Sequence, residues 1–224
     1  MLKILEVIKM NKIFLQKLFI MLILIGVANF MPAVVNFDAE NVYVSKVYAA
    51  TNEEIAKQKS EDGIGLCINK DYQNAILKFN EAIKLNPNVA GTYLWRGYCY
   101  KELENYDQAI FDYTQAIKLK PNIAVAYNDR GGCYEKLKKY EQAIKDFTQV
   151  IKLNPEDPDA YQYRGLVYEK MKNYQLAIKD FTKAIELNDD DEEYYYNRGR
   201  CYKAIGKNAE AEKDFAKAKK IENE

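Results

Sequence analysis

Residues 90–123 read AGTYLWRGYCYKELENYDQAIFDYTQAIKLKPNI. The marks in this stretch are Tyr93, Arg96, Gly97, Tyr100, Tyr106, Ala109, Tyr113, Ala116 and Pro121. Moving 34 places along the chain returns eight of the nine as Tyr127, Arg130, Gly131, Tyr134, Tyr140, Ala143, Phe147 and Pro155. A second step of 34 gives Tyr161, Arg164, Gly165, Tyr168, Tyr174, Ala177, Phe181 and Ala184. Several unrelated residue types therefore keep register together, which is the mark of a stacked repeat and not of a single globular core.

Numbering each unit from its first residue, the repeats span Ala56–Val89, Ala90–Ile123, Ala124–Asp157, Pro158–Asp191 and Glu192–Glu224. The apolar spacing within a unit predicts two helices, A and B. Positions 4, 8 and 11 of helix A face positions 24, 20 and 17 of helix B. Gly or Ala at 8 and 20 lets the two backbones approach, and aromatic rings at 4, 11, 17 and 24 fill the space around them. This accounts for most of the 19 tyrosines. Pro87, Pro121 and Pro155 follow helix B, where a residue without an N–H stops a helix.

The aromatic, Gly, Ala and Pro marks at these offsets resemble the tetratricopeptide repeat (TPR) over Ala56 to about Ile221. The resemblance implies an all-α, right-handed α–α superhelix of about ten antiparallel helices, less than one full turn long. It also implies that helix A of each repeat lines a concave groove. One known ligand mode of the family, the carboxylate clamp, needs Lys and Asn at positions 5 and 9 of a repeat. Those positions hold Ser60/Ile64, Leu94/Tyr98, Asn128/Gly132, Gln162/Leu166 and Tyr196/Arg200, so the clamp is not expected here.

The amino-terminal region differs in character. Lys3, Lys9, Lys12 and Lys17 precede Leu18–Phe37, twenty residues without a charge, and Asp38 and Glu40 follow. A basic start and an apolar run predict an export signal or membrane anchor over residues 1–35, with Met10 a second candidate start. Gly26-Val27-Ala28 and Val47-Tyr48-Ala49 are small-x-small cleavage sites. Residues 36–55 show no helical period and read as a linker to the repeat domain of residues 56–224. The expected location is therefore outside the cytoplasm, with membrane contact through the amino-terminal segment alone.

Both ends of the array depart from the repeat, as stacked units require. Lys59 replaces the aromatic at position 4 of the first repeat. At positions 21 and 28 an isoleucine ladder runs Ile76/Ile83, Ile110/Ile117, Ile144/Ile151 and Ile178/Ile185, and becomes Glu212 and Lys219 in the fifth repeat. A face meant for a following repeat has turned polar, so the last helix is expected to be the cap.

Charges recur as well. Arg96, Arg130, Arg164 and Arg198 occupy position 7, and Asp112, Asp146, Asp180 and Asp214 occupy position 23. In the first repeat the signs reverse to Asp62 and Lys78. Pairing within a repeat makes all five couples attractive, whereas pairing between repeats would oppose Lys78 to Arg96. An intra-repeat ion pair is expected, and arginines so paired are not free to hold an anionic ligand.

The chain has 33 basic and 33 acidic side chains and no histidine. With no basic excess, nucleic acid is not an expected partner. Without histidine the usual general base and the commonest metal ligand are gone. Cys99, Cys133 and Cys201 fall at position 10, where Val167 stands in the fourth repeat, so the position asks for a small apolar body. Equivalent positions in stacked repeats lie about 8–10 Å apart, too far for a disulfide. Cys67 sits at position 12. There is no CxxC pair, no phosphate-binding glycine loop and no nucleophile with a base, so no enzyme activity, metal or cofactor is expected.

Binding is left. With positions 4, 8 and 11 turned to helix B, the opposite face of helix A carries positions 2, 6, 9 and 13, with 5 at its edge. The candidate groove residues are Leu94, Trp95 and Tyr98, then Asn128, Asp129 and Gly132, then Tyr163 and Leu166, then Tyr196, Asn197 and Arg200. Gly132 leaves a gap in the floor between aromatic walls. The expectation is a non-enzymatic scaffold binding a peptide or protein segment in this groove, with an apolar side chain over Gly132. Two alternatives stand beside it. The rings could simply pack on the neighbouring helix A, or the protein could be a structural one that associates with itself as a homodimer.

Overall fold

The computed structural model describes residues 38–223, and all regular structure among them is helical. The chain divides into two compact units, residues 1–55 and 56–224. The helices are α1 (Asp38–Ile68), α2 (Tyr72–Leu85), α3 (Ala90–Glu102), α4 (Tyr106–Leu119) and α5 (Ala124–Lys136). They continue with α6 (Tyr140–Leu153), α7 (Pro158–Lys170), α8 (Tyr174–Leu187), α9 (Glu192–Ala204) and α10 (Asn208–Glu222).

One expectation is corrected at once. Residues expected to form a linker up to position 55 are helical from Asp38 onward. No glycine or proline occurs between Asp38 and Gly63. A helix once nucleated gains one hydrogen bond for each residue it adds, and needs no amphipathic face to do so. The apolar run of residues 18–37 and the export signal it suggests lie outside the described residues. Among the described residues no helix is long and apolar enough to cross a membrane.

Within each repeat, helices A and B meet through a glycine and a ring. A β-carbon added at Gly97 would stand 3.0 Å from the Tyr113 ring, at Gly131 3.1 Å from Phe147, and at Gly165 2.9 Å from Phe181. Gly63 against Phe79 and Gly199 against Phe215 are tighter still, at 2.7 and 2.8 Å. Position 8 therefore meets the ring at position 24, and not position 20 as expected from the pattern, and it is glycine because the backbones must approach that far.

The core is a chain of inter-repeat clusters. Ala109 and Tyr113 pack with Cys133 of the following repeat, Ala143 and Phe147 with Val167, and Ala177 and Phe181 with Cys201. Ile110, Ile144 and Ile178 lie against the same clusters. The position-21 isoleucines therefore cover position 10 of the next unit, which explains why that position is Cys or Val in the second to fifth repeats, whereas Gly65 stands there in the first. Burying such a side chain stabilises by about 1.5–3 kcal/mol, so each repeat depends on its neighbour.

The turn from A to B uses a residue in the left-handed region at position 15: Lys70, Glu104, Lys138 and Lys172 at φ 58–62°, and Gly206 at φ 80°. The amide of the next residue closes the turn, as in Asn105 N–H to the Tyr100 carbonyl at 2.8 Å. In the first and second repeats the residue after the turn, Asp71 or Asn105, then caps helix B through its side chain. A lysine or glutamate at positive φ costs energy that glycine does not.

The four expected arginine–aspartate pairs are formed, each within its own repeat and each bidentate. Arg96 binds Asp112 at 2.8 and 2.6 Å, Arg164 binds Asp180 at 2.8 and 2.8 Å, and Arg198 binds Asp214 in the same way. The third guanidinium nitrogen reaches back to position 25 of the preceding repeat: Arg130 to Thr114, Arg164 to Thr148, Arg198 to Thr182. Burial lifts the Asp112 carboxyl above its ordinary pKa, against the opposing pull of the Arg96 guanidinium. The fifth couple is not formed. Asp62 accepts a hydrogen bond from Gln58 on its own helix, and among the described residues it makes no ion pair with Lys78. With Arg replaced by the shorter Asp, the reach to helix B is lost.

Candidate groove on the A-helix face

The A helices α3, α5 and α7 carry between them a cleft of about 510 Å³. Its middle is Gly132 on α5, where an added β-carbon would meet nothing within 4 Å. One wall is Tyr163, 39% exposed, whose ring lies 5.8 Å from Phe147 in a tilted stack. Leu166, Val167 and Tyr106 also line it, so part of the lining is apolar.

Its rim is charged and of mixed sign: Lys101, Lys136 and Lys170 against Glu102, Glu104, Asp129 and Glu135. Several of these already hold partners. The Lys101 ammonium donates to Asp129 at 3.0 Å, Lys170 pairs with Glu135, and further along Arg200 pairs with Glu169 at 3.0 Å. In each case a position-12 residue clips one A helix to the next. Burial works against the Lys101 charge, but Asp129 outweighs it and holds the ammonium above its ordinary pKa. The Cys133 thiol in the floor is pushed up to about 12 by burial, so it is no nucleophile at neutral pH.

Under the second repeat lies an unusual group. Position 24 is Phe in every repeat except the second, where it is Tyr113. The Tyr113 side chain is fully buried, and among the described residues its hydroxyl has no hydrogen-bond partner. Burial first, then the nearby Asp129 charge, raise its pKa far above the ordinary phenol value.

The cleft gathers five of the residues expected in the groove: Asn128, Asp129, Gly132, Tyr163 and Leu166. The other six lie outside its lining. Trp95 is 37% exposed and sits edge-on to Tyr98 at 6.1 Å, and Tyr98 in turn sits edge-on to Tyr72 at 6.4 Å. Leu94 packs onto the core cluster of Tyr113 and Cys133. Asn197 is 7% exposed, which corrects its placement on an open face. Arg200 is held by Glu169 and lies over the Tyr196 ring, so it is not a free polar anchor. Tyr196, 52% exposed, lines a separate cleft of about 450 Å³ with Phe215, Ala218 and Lys219. The sequence reading placed position 13 on this face without naming its residues, Glu102, Lys136 and Lys170, and missed position 12, Lys101 and Glu135. A charged residue recurring at position 12, next to the face, is the signal that could have found it.

Helix pairs with a fixed repeat, a glycine set against a ring, and a row of A helices open on one side define a helical-repeat solenoid. Models of the tetratricopeptide repeat match residues 90–123, 124–157 and 158–191, and a second such model matches 181–213. The chain belongs to the tetratricopeptide repeat family, and as such it is a protein-interaction scaffold. Residues 56–89, ahead of these matches, form the same helix pair with Gly63 against Phe79.

Solved structures of the same fold include MamA, at 28% identity and a TM-score of 0.72, covering 76% of this chain and 93% of that one. MamA from Desulfovibrio magneticus RS-1 is 22% identical, with a TM-score of 0.72, covering 75% and 95%. YrrB, described as a TPR protein with an unusual peptide-binding site, is 20% identical with a TM-score of 0.67, covering 80% and 92%. No curated protein matches the chain significantly.

Proposed function

We propose that this protein is a non-enzymatic scaffold that holds a peptide segment in the cleft between Lys101 and Lys170, and that it acts outside the cytoplasm. The observation that carries the reading is the open floor at Gly132. Core packing explains the glycine at position 8 of each repeat, whereas at Gly132 nothing stands within 4 Å of where a β-carbon would go. An apolar side chain over Gly132 would lie against Tyr163 and Leu166. The mixed rim of lysines and carboxylates suits the polar backbone and side chains on either side of such an anchor. A peptide-binding site is reported for YrrB, which has the same fold. Export rests on the basic, then apolar, sequence of residues 1–37.

The test is Gly132→Phe in the full chain. A β-carbon at this position meets nothing within 4 Å, so the ring enters the cleft and not the space between helices A and B. It should leave the melting temperature within a few degrees and abolish capture of partners from the envelope fraction. Capture unchanged from the wild-type chain would show that the cleft is not the site.

A second reading, end-to-end self-association, is favoured by one observation. Phe147 is covered by Tyr163 of the following repeat, whereas the ring beside Phe215 is Tyr196 of its own repeat, at 5.6 Å, and both line a cleft with Ala218. Sedimentation at increasing concentration tests it: a dimer lost on Tyr196→Ser supports this reading, and a strict monomer removes it.

A further inference from the structure

Cys67 at position 12 of the first repeat and Cys99 at position 10 of the second are both buried, with their sulfurs 3.0 Å apart. We propose that this pair is a dithiol site that a disulfide-bearing oxidant converts into an intramolecular disulfide, locking the first repeat onto the second. A disulfide bond is about 2.05 Å long, so the sulfurs need to close by about 1 Å.

The other junctions show why this place matters. Position 12 carries Lys101, Glu135 and Glu169 in the next three repeats, and each makes an ion pair with the following A helix. Position 12 is the clip between neighbouring A helices. At the first junction alone the clip is a cysteine, and it meets a cysteine. Cys133 and Cys201, the other position-10 thiols, have Lys101 and Glu169 respectively as their charged position-12 neighbours. They have no thiol to join.

The step balances as two thiol–disulfide exchanges. One thiolate attacks the oxidant's disulfide, forming a mixed disulfide and releasing one thiol. The second cysteine then attacks the protein-side sulfur, forming the Cys67–Cys99 bond and releasing the second thiol. Two S–H bonds and the oxidant's S–S bond break, and its two sulfurs leave carrying both electrons and both protons. Burial raises the pKa of both thiols, and the Glu102 charge adds to this, so the thiolate is scarce in the closed protein. Oxidation therefore proceeds through opening of the first repeat, which has a neighbour on its second-repeat side to leave.

The probe is oxidised glutathione with the full chain, followed by alkylation in denaturant and peptide mapping. The expected result is a chain lighter by about 2 Da before alkylation, and afterwards Cys133 and Cys201 alkylated with the Cys67 and Cys99 peptides linked. The melting temperature should rise by roughly 5–10 °C and fall back on reduction. C133A/C201A should form the bond as well as the wild type, and C67A should lose both the link and the shift. The proposal is overturned if all four cysteines are alkylated after such treatment. It is equally overturned if the links found involve Cys133 or Cys201, or if C133A/C201A gives only intermolecular bonds. None of these outcomes bears on the cleft at Gly132, so this test stands apart from the binding reading.

Discussion

The Arg130 guanidinium and the Asp146 carboxylate meet in two parallel hydrogen bonds, Nε to Oδ2 at 2.8 Å and Nη2 to Oδ1 at 2.7 Å, while Nη1 donates to Thr114 of the preceding repeat at 2.9 Å. One side chain thus ties an A helix to its own B helix and to the B helix before it. The cation also lies over the rings of Tyr127 and Tyr134, at 5.6 and 5.9 Å from their centroids. Removing either partner leaves the other charge buried and unpaired, which costs about 3–5 kcal/mol. Arg130→Ala and Asp146→Ala should each destabilise by that order, and the double variant by much less than their sum. A double-mutant cycle read by urea unfolding measures the coupling. Additive costs would mean that the pair is structural decoration.

Tyr113 predicts the opposite sign. An unpartnered buried hydroxyl costs about 1–3 kcal/mol of desolvation that nothing returns. The equivalent position is Phe in the other repeats, in the same contact with the position-8 glycine. Tyr113→Phe should therefore raise stability, by about 1 kcal/mol. A loss of stability in thermal unfolding would reveal a hydrogen bond that this hydroxyl makes in solution.

Two glycines 33 residues apart in sequence should respond to alanine in opposite directions. Gly132 has free space where a β-carbon would go, so Gly132→Ala gains about 0.5–1 kcal/mol from reduced chain entropy. At Gly165 the new atom would lie 2.9 Å from the Phe181 ring. Overpacking of about 1–3 kcal/mol there outweighs the helical gain, and Gly165→Ala should melt at a lower temperature. Equal responses would contradict the packing at one of the two sites.

The repeat, the A–B packing and the ion pairs were legible because each is written several times over. Reversal of both signs at Asp62 and Lys78 selected pairing within the repeat, and the four Arg–Asp couples have that geometry, although the reversed couple itself does not form. What the period does not specify is how one repeat sits on the next. The contacts of Cys67 with Cys99 and of Lys101 with Asp129 join positions that differ from repeat to repeat, and they depend on the stacking offset between units. The same offset buries Asn197 and leaves Tyr196 open. The left-handed residue at position 15 was invisible for another reason: Gly206 signals positive φ, but Lys70, Lys138 and Lys172 adopt it without any mark in the sequence. The helix from Asp38 lacked the amphipathic stripe that pattern reading relies on.

The last repeat supplies a test of how the array ends. Ile110, Ile144 and Ile178 each lie against the position-10 residue of the following unit, and Glu212 takes their place on α10. Both Glu212 and Lys219 are exposed, so the surface that would receive another repeat is charged. An uncharged version of that surface would continue the ladder and adjoin the cleft of Tyr196, Phe215 and Ala218. Glu212→Ile with Lys219→Ile should therefore create an apolar patch seeking cover, each isoleucine contributing about 1.5–3 kcal/mol when buried. The double variant should associate end to end, with a sedimentation coefficient that rises with concentration, while its helical content stays unchanged. Adding Tyr196→Ser should reverse the association, because the ring borders the same cleft. A double variant that remains monomeric at high concentration would show that another part of the chain already covers this end.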